Sequence, residues 1–206
     1  MAYKEHLEES PRQVGCAVIT VSDTRDAASD KSGQLIKELL EAQGHLPPGI
    51  YFCLYEGYRS LTLQAMLFGR QYNAIKTRHA GWSSTDIFKE TTRLVSPVTN
   101  LDGSHNIPPH STGAAIDVYL IDDQGKPLDM GIHPKDWMQD NDGVLSLTDS
   151  TRISPVAQAN RNMMNHALRV VGFVNYPTEF WHWSYGDRYW AFVKQKPFAI
   201  YGSRSP

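Results

Sequence analysis

The chain has 206 residues, which is enough for one well-packed domain. Its 20 Lys and Arg residues nearly balance its 22 Asp and Glu residues, and a net charge of −2 predicts no binding to nucleic acid or to an anionic membrane surface. The opening segment, MAYKEHLEESPRQ, is charged where a secretory signal needs apolar residues, and the apolar runs are too short to cross a bilayer. We therefore expect a cytoplasmic protein that acts on a small partner.

The first third of the chain predicts two strands that alternate with two helices. Residues 15–22 are a β-branched apolar run of strand length, and a polar loop follows them. Apolar residues recur at helical spacing from Lys31 to Gln43, which indicates an amphipathic helix. Residues 50–60 are typical of a second strand, and residues 61–72 are typical of a second helix. Arg59 then lies near a strand end.

The second half of the chain predicts one further strand, a helix and an aromatic region. Residues 114–122 are strand-like, and the polar residues 138–154 are expected to form a long surface loop. Residues 155–171 predict a helix that ends at Gly172. Residues 173–200 are dense in aromatic side chains and are expected to be extended. Together these elements predict a single α+β domain over the whole chain.

Two short segments place ionisable side chains among apolar residues. Asp117 lies between Ile116 and Val118 on a predicted strand, and a buried carboxylate is costly unless it is paired or binds a cation. His110 precedes this strand on a Pro-rich approach. The segment EFWH adds Glu179 and His182 amid aromatic residues that exclude water. Residues three apart on a straight strand point to opposite faces, so we expect a turn or bulge to bring these two together.

Two imidazoles and a carboxylate suit a mononuclear zinc site with an open position for water. Glu179 is then available to accept a proton from that water. Arg59, a permanent cation on an otherwise apolar strand, is available to stabilise an oxyanion. The residues alone leave a second interpretation open, in which they form a polar network inside an α+β core. In that network Asp117 pairs with Arg59, and Glu179 caps a turn.

At these residues the sequence resembles the D-alanyl-D-alanine dipeptidases, which are zinc D,D-peptidases related to the Hedgehog fold. The resemblance extends from about residue 46 to residue 203 and rests on the motifs EGYRS, HSTGAAID and EFWH. It implies an α+β fold with a central, mainly antiparallel sheet. It also implies one zinc ion with three protein ligands, namely His110, Asp117 and His182.

The same resemblance implies roles for the two remaining residues. Glu179 is the general base and acid, and Arg59 stabilises the tetrahedral intermediate. The implied reaction is the hydrolysis of D-alanyl-D-alanine to two D-alanines in peptidoglycan precursor metabolism. The expected partner is thus a small dipeptide.

Residues 14–45 resemble a different family, the molybdenum-cofactor biosynthesis proteins that bind molybdopterin, in an opening strand, an SDTR loop and a helix. We therefore expect a chimera, with a borrowed strand and helix in residues 1–45 and a dipeptidase-like catalytic region in residues 46–206. The junction is expected between about Leu39 and Pro48. Two alternatives to an active dipeptidase follow: a chimeric scaffold with an impaired or metal-free site, and molybdopterin binding through the N-terminal segment.

Overall fold

The computed structural model describes residues 31–140 and 142–202 of the chain. Its strands are β1 (Ile50–Glu56), β2 (Ala115–Asp122), β3 (Val174–Tyr176) and β4 (Glu179–Ser184). Its helices are α1 (Lys31–Gln43), α2 (Leu61–Arg78), α3 (Ser84–Thr92), α4 (Pro155–Val170) and α5 (Arg188–Val193). The strands form one antiparallel sheet in the order β1-β2-β4-β3, which confirms the predicted α+β fold with a mainly antiparallel sheet. None of the described helices is long and apolar enough to span a membrane.

The alternating sequence of β2 separates a packed face of the sheet from a polar one. Ile116, Val118 and Leu120 point to the same face because side chains alternate along a strand. They are buried in one core with Met164 and Leu168, which lie on α4. Asp117 lies between two of these residues and therefore points to the opposite face.

Helix α1 has the bounds that the sequence predicts, and it is joined to the outer edge of β1. The side chain of Gln43 donates a hydrogen bond to the carbonyl of Ile50 and accepts one from the amide of Phe52. Strand β1 pairs with β2 on one side only, and the two bonds from Gln43 occupy backbone groups on its free side. They therefore protect this edge of the sheet against pairing with another chain. The strand predicted at residues 15–22 lies outside the described residues.

Three predicted boundaries differ from the structure. Strand β1 ends at Glu56 rather than at residue 60, because the chain bends so that the amide of Arg59 donates to the carbonyl of His110. Helix α2 continues to Arg78 rather than ending at residue 72. The aromatic region is not extended throughout, since α5 begins where the Asp187 carboxylate accepts a hydrogen bond from the amide of Trp190.

The prediction of a surface loop over residues 138–154 is wrong for the middle of that segment. Three of its hydroxyl residues are 3% exposed, namely Ser146, Thr148 and Ser150. Arg161 of α4 is completely buried and donates hydrogen bonds to three backbone carbonyls, those of Met130, Leu145 and Leu147. Its guanidinium also lies 3.7 Å from the centre of the Phe180 ring. One buried cation thus fixes the loop against both α4 and β4.

Replacing Arg161 by Met keeps part of its apolar stem but leaves these carbonyls without their donor. We expect the free energy of unfolding to fall by about 3 kcal/mol or more, since each buried acceptor left unpaired costs about 1–3 kcal/mol. Urea denaturation followed by circular dichroism measures the change. Arg169→Met, at an exposed position of the same helix, is the matched control and is expected to change stability little. Equal losses in the two variants would contradict this role of Arg161.

Candidate metal and catalytic site

The strand register places three ionisable residues in one row across the sheet. Glu56 of β1 pairs with Asp117 of β2, and Asp117 pairs with His182 of β4. Side chains directly opposite each other in antiparallel strands point to the same face of the sheet. Asp117 and His182 are therefore neighbours on the face away from the apolar core.

His110 reaches this row from a 3₁₀ helix at Pro109–Thr112, immediately before β2. The helix ends at Gly113, whose left-handed conformation (φ 72°) favours a residue without a side chain. The Nδ1 atom of His110 donates a hydrogen bond to the carbonyl of Gly57 over 2.8 Å. This bond selects the tautomer whose Nε2 atom has a free lone pair.

The three predicted ligand atoms converge on one point. The Nδ1 atom of His182 lies 3.0 Å from Nε2 of His110 and 3.1 Å from Oδ1 of Asp117. The Asp117 oxygen lies 3.3 Å from Nε2 of His110. Ligands at about 2.0–2.1 Å from a tetrahedral zinc ion are about 3.3–3.4 Å apart, so this triangle suits one ion. Within residues 31–140 and 142–202, no other three His, Cys, Asp or Glu side chains converge in this way.

An irregularity between β3 and β4 brings Glu179 to the same side as His182. Tyr176 pairs with Glu179, but the preceding residue Asn175 pairs with Trp183, so the intervening residues of β4 leave the regular ladder. The Oε2 atom of Glu179 lies 3.9 Å from Nδ1 of His182. The bulge that the sequence predicts between these two residues is therefore present.

The polar row lies at the wall of a cavity of about 340 Å³. The five predicted site residues all line it: Arg59, His110, Asp117, Glu179 and His182. Five aromatic side chains form much of the remaining wall, namely Tyr55, Trp137, Tyr176, Trp181 and Tyr189. A concave site that combines aromatic side chains with convergent polar groups is typical of small-molecule binding.

Arg59 is held by Glu56 and not by Asp117. Its Nε atom donates to Oε1 of Glu56 over 2.7 Å, and its Nη2 atom donates to the second carboxylate oxygen. Its Nη1 atom donates to the buried side chain of Gln64 over 2.7 Å. The alternative ion pair between Asp117 and Arg59 does not form, because Asp117 contacts both histidines instead. Glu56 is not among the site residues predicted from the sequence, although its position three residues before Arg59 in EGYRS is a usable signal.

The family model for D-Ala-D-Ala dipeptidases matches residues 29–200, which is most of the chain. The chain belongs to the D-Ala-D-Ala dipeptidase family. A D-alanyl-D-alanine dipeptidase from Synechocystis sp. is 38% identical over 90 residues, which are 41% of this chain and 36% of that protein. A solved structure of VanYB in complex with D-alanyl-D-alanine has a TM-score of 0.46 and 15% identity, over 92% of this chain and 88% of that chain.

The second resemblance is also confirmed. Molybdenum cofactor biosynthesis protein B from Halalkalibacterium halodurans is 53% identical over 45 residues, which are 22% of this chain and 26% of that protein. The chain thus matches about a third of the curated dipeptidase and about a quarter of the second relative. The dipeptidase match begins at residue 29, so all of α1 falls inside it. The position of the junction stays a prediction.

In this dipeptidase-family site, burial and neighbouring charges act in opposite directions on three pKa values. Burial alone would raise the pKa of Asp117, but the two histidines outweigh burial and lower it. Burial alone would lower the pKa of His182, but the hydrogen bond and charge of Asp117 raise it. Burial raises the pKa of Glu179, and the charge of His182 offsets this only in part. A carboxyl group with a raised pKa is suited to both accepting and donating a proton.

The contact between His182 and Asp117 makes the stability of the metal-free protein depend on pH. Because the pKa of His182 is raised on folding, its contribution is complete below the unfolded pKa of about 6.5 and is lost as the pH rises through the folded value. We expect the Tm of chelator-treated protein to fall as the pH rises above about 6.5, and to fall less in His182→Gln. Differential scanning fluorimetry measures both. The same pH dependence in the two proteins would contradict the expected titration.

Proposed function

We propose that the protein is a zinc-dependent dipeptidase that hydrolyses D-alanyl-D-alanine to two D-alanines. The proposal rests on one observation, the convergence of His110, Asp117 and His182 beside Glu179 at the wall of a cavity. Membership of the D-Ala-D-Ala dipeptidase family supports the same reaction.

His110, Asp117 and His182 would hold one zinc ion through Nε2, Oδ1 and Nδ1. Two imidazole nitrogens and a carboxylate oxygen are donors that zinc prefers, and three protein ligands leave a position for water or substrate. The ion would supply a Lewis acid that lowers the pKa of a water molecule and polarises a peptide carbonyl. The carbonyl of Gly57 orients the His110 ring for this role.

Glu179 acts as the proton acceptor and then as the proton donor. Its side chain is 21% exposed and lines the cavity, so a water molecule and a peptide can reach it. Its carboxylate accepts the proton of the attacking water and passes that proton to the leaving amine. Its raised pKa supports the first step, because a more basic carboxylate accepts the proton more readily.

Arg59 stabilises the negative charge that develops on the peptide oxygen. Glu56 and Gln64 hold its guanidinium in a fixed position before substrate binds. A donor that is fixed in advance needs no reorganisation when the charge develops, and this lowers the barrier. Arg59 also lines the cavity with Glu179, so the two groups face the same substrate.

The zinc content of purified protein tests the ligand set and separates this proposal from a metal-free scaffold. We expect about one zinc ion per chain in wild-type protein and far less in His110→Asn, because two remaining ligands bind zinc weakly. Inductively coupled plasma mass spectrometry measures both. His45→Asn, at an exposed position, is the control and should retain the ion. Zinc-free wild-type protein after loading and desalting would favour the scaffold alternative.

Hydrolysis of D-alanyl-D-alanine by zinc-loaded protein tests the reaction. We expect Glu179→Gln to lower kcat by about 10²–10⁴-fold while zinc content stays unchanged, since a neutral amide cannot accept the proton. Release of D-alanine, followed in a coupled assay, gives the rates. Glu41→Gln, on the exposed side of α1, is the control that should keep the wild-type rate. Equal rates in the two variants would remove Glu179 from the mechanism.

A further inference from the structure

We infer that Asn175 and Thr148 form a hydrogen-bonded pair that positions Glu179 and His182 through their backbone. The inference rests on the function proposed above and adds two positioning residues to it. Neither Asn175 nor Thr148 is among the residues that line the cavity, and both are buried, with 8% and 3% of their surface exposed. Their effect on the site therefore passes through other residues.

The side-chain amide of Asn175 bonds to both residues at once. Its nitrogen donates to the carbonyl of Glu179 over 3.1 Å and to the carbonyl of His182 over 3.0 Å. The carbonyl of Phe180 lies 3.4 Å from the same nitrogen. Asn175 thus spans the part of β4 that leaves the regular pairing with β3. The backbone groups of a bulged segment lack their usual partners in the neighbouring strand. This one amide group thus bridges the backbones of Glu179 and His182.

Thr148 fixes the direction in which the Asn175 amide points. Its hydroxyl donates to Oδ1 of Asn175 over 2.5 Å, which directs the amide nitrogen towards the three carbonyls. The amide of Thr148 donates to the carbonyl of Pro177 over 3.0 Å. The amide of Phe180 in turn donates to the carbonyl of Ser146 over 2.9 Å. The loop therefore bonds to β4 and its approach on both sides of Glu179.

The geometry of the pair accounts for the residue types. Asparagine is short and offers both a donor and an acceptor, whereas aspartate would place an oxygen against the carbonyls of Glu179 and His182. Valine at position 148 would keep the shape of threonine but could not donate to Oδ1. Displacement of a reacting group by about 1 Å can cost about 10²-fold in rate. Loss of an outer partner of a metal ligand typically costs about 10–100-fold in metal affinity or activity.

Variants at Thr148 and Asn175, with a control at Thr91, test the pair. Thr148→Val removes the hydroxyl, Thr148→Ser keeps it, and Thr91→Val removes another buried hydroxyl, which bonds within α3 to the carbonyl of Ile87. Zinc affinity, from competition with a chromophoric chelator, is measured beside kcat and KM for D-alanyl-D-alanine. Circular dichroism establishes that each variant is folded, and Thr148→Ala replaces Thr148→Val if the latter unfolds.

We expect Thr148→Val to lower zinc affinity about tenfold and kcat about 10–100-fold, with KM changed less than kcat. Thr148→Ser should keep zinc affinity and kcat within about threefold of the wild-type values, and Thr91→Val should change neither quantity. Asn175→Asp should reduce both readouts in the same direction as Thr148→Val. A folded Thr148→Val variant with wild-type zinc affinity and kcat would overturn the inference.

The two proposals fail in different ways. If zinc-loaded wild-type protein releases no D-alanine, the proposed function fails, and zinc affinity alone then decides whether the pair positions His182. If wild type is active and a loss in Thr148→Val is matched by an equal loss in Thr91→Val, the effect is one of general stability. That result would overturn the positioning role and leave the proposed function intact.

Discussion

Asp117 and His182 lie directly opposite each other in the ladder between β2 and β4, and this register determines which side chains can meet at the site. A shift of one residue in either strand would turn Asp117 or His182 into the apolar core. The register is strongly specified because Ile116 and Val118, on either side of Asp117, are buried on the other face. Hydrophobic packing on one face of the sheet thus fixes polar geometry on the other.

The site also depends on buried hydrogen bonds between residues that do not line the cavity. Arg161 binds carbonyls of the loop that contains Thr148, Thr148 orients Asn175, and Asn175 binds the backbone of Glu179 and His182. This continuous series of bonds joins helix α4 to the two residues nearest the proposed chemistry. The bonds of the buried Arg161 guanidinium contribute to the stability of the fold. The bonds of Thr148 and Asn175 contribute to the exact placement of Glu179 and His182. The same loop can therefore affect folding and activity through different residues.

The sequence predicted five residues that converge at one cavity, because each is an ionisable side chain within a recognisable motif, whereas the role of each residue stays a prediction. It also predicted α1, β2 and α4 closely, since their apolar periodicity is local. It did not predict α3, the helical turn of α5 or the burial of Thr148. The burial of Thr148 depends on contacts between residues far apart in the chain, such as its bond to Asn175. By contrast, α3 and α5 begin at local caps, Ser83 and Asp187, which the sequence interpretation did not use. The partner of Arg59 was missed for a different reason, since Glu56 lay within the motif but was assigned no role.

The proposed function requires that His110, Asp117 and His182 bind one zinc ion. The chain covers 36% of the Synechocystis dipeptidase and 26% of the Halalkalibacterium halodurans protein, so zinc binding is tested on the chain itself. The most direct measurement is a crystal structure of zinc-loaded protein with anomalous data collected at the zinc edge. We expect one anomalous peak within about 2.0–2.2 Å of Nε2 of His110, Oδ1 of Asp117 and Nδ1 of His182. A zinc peak bound by other residues, or none between these three, would contradict it.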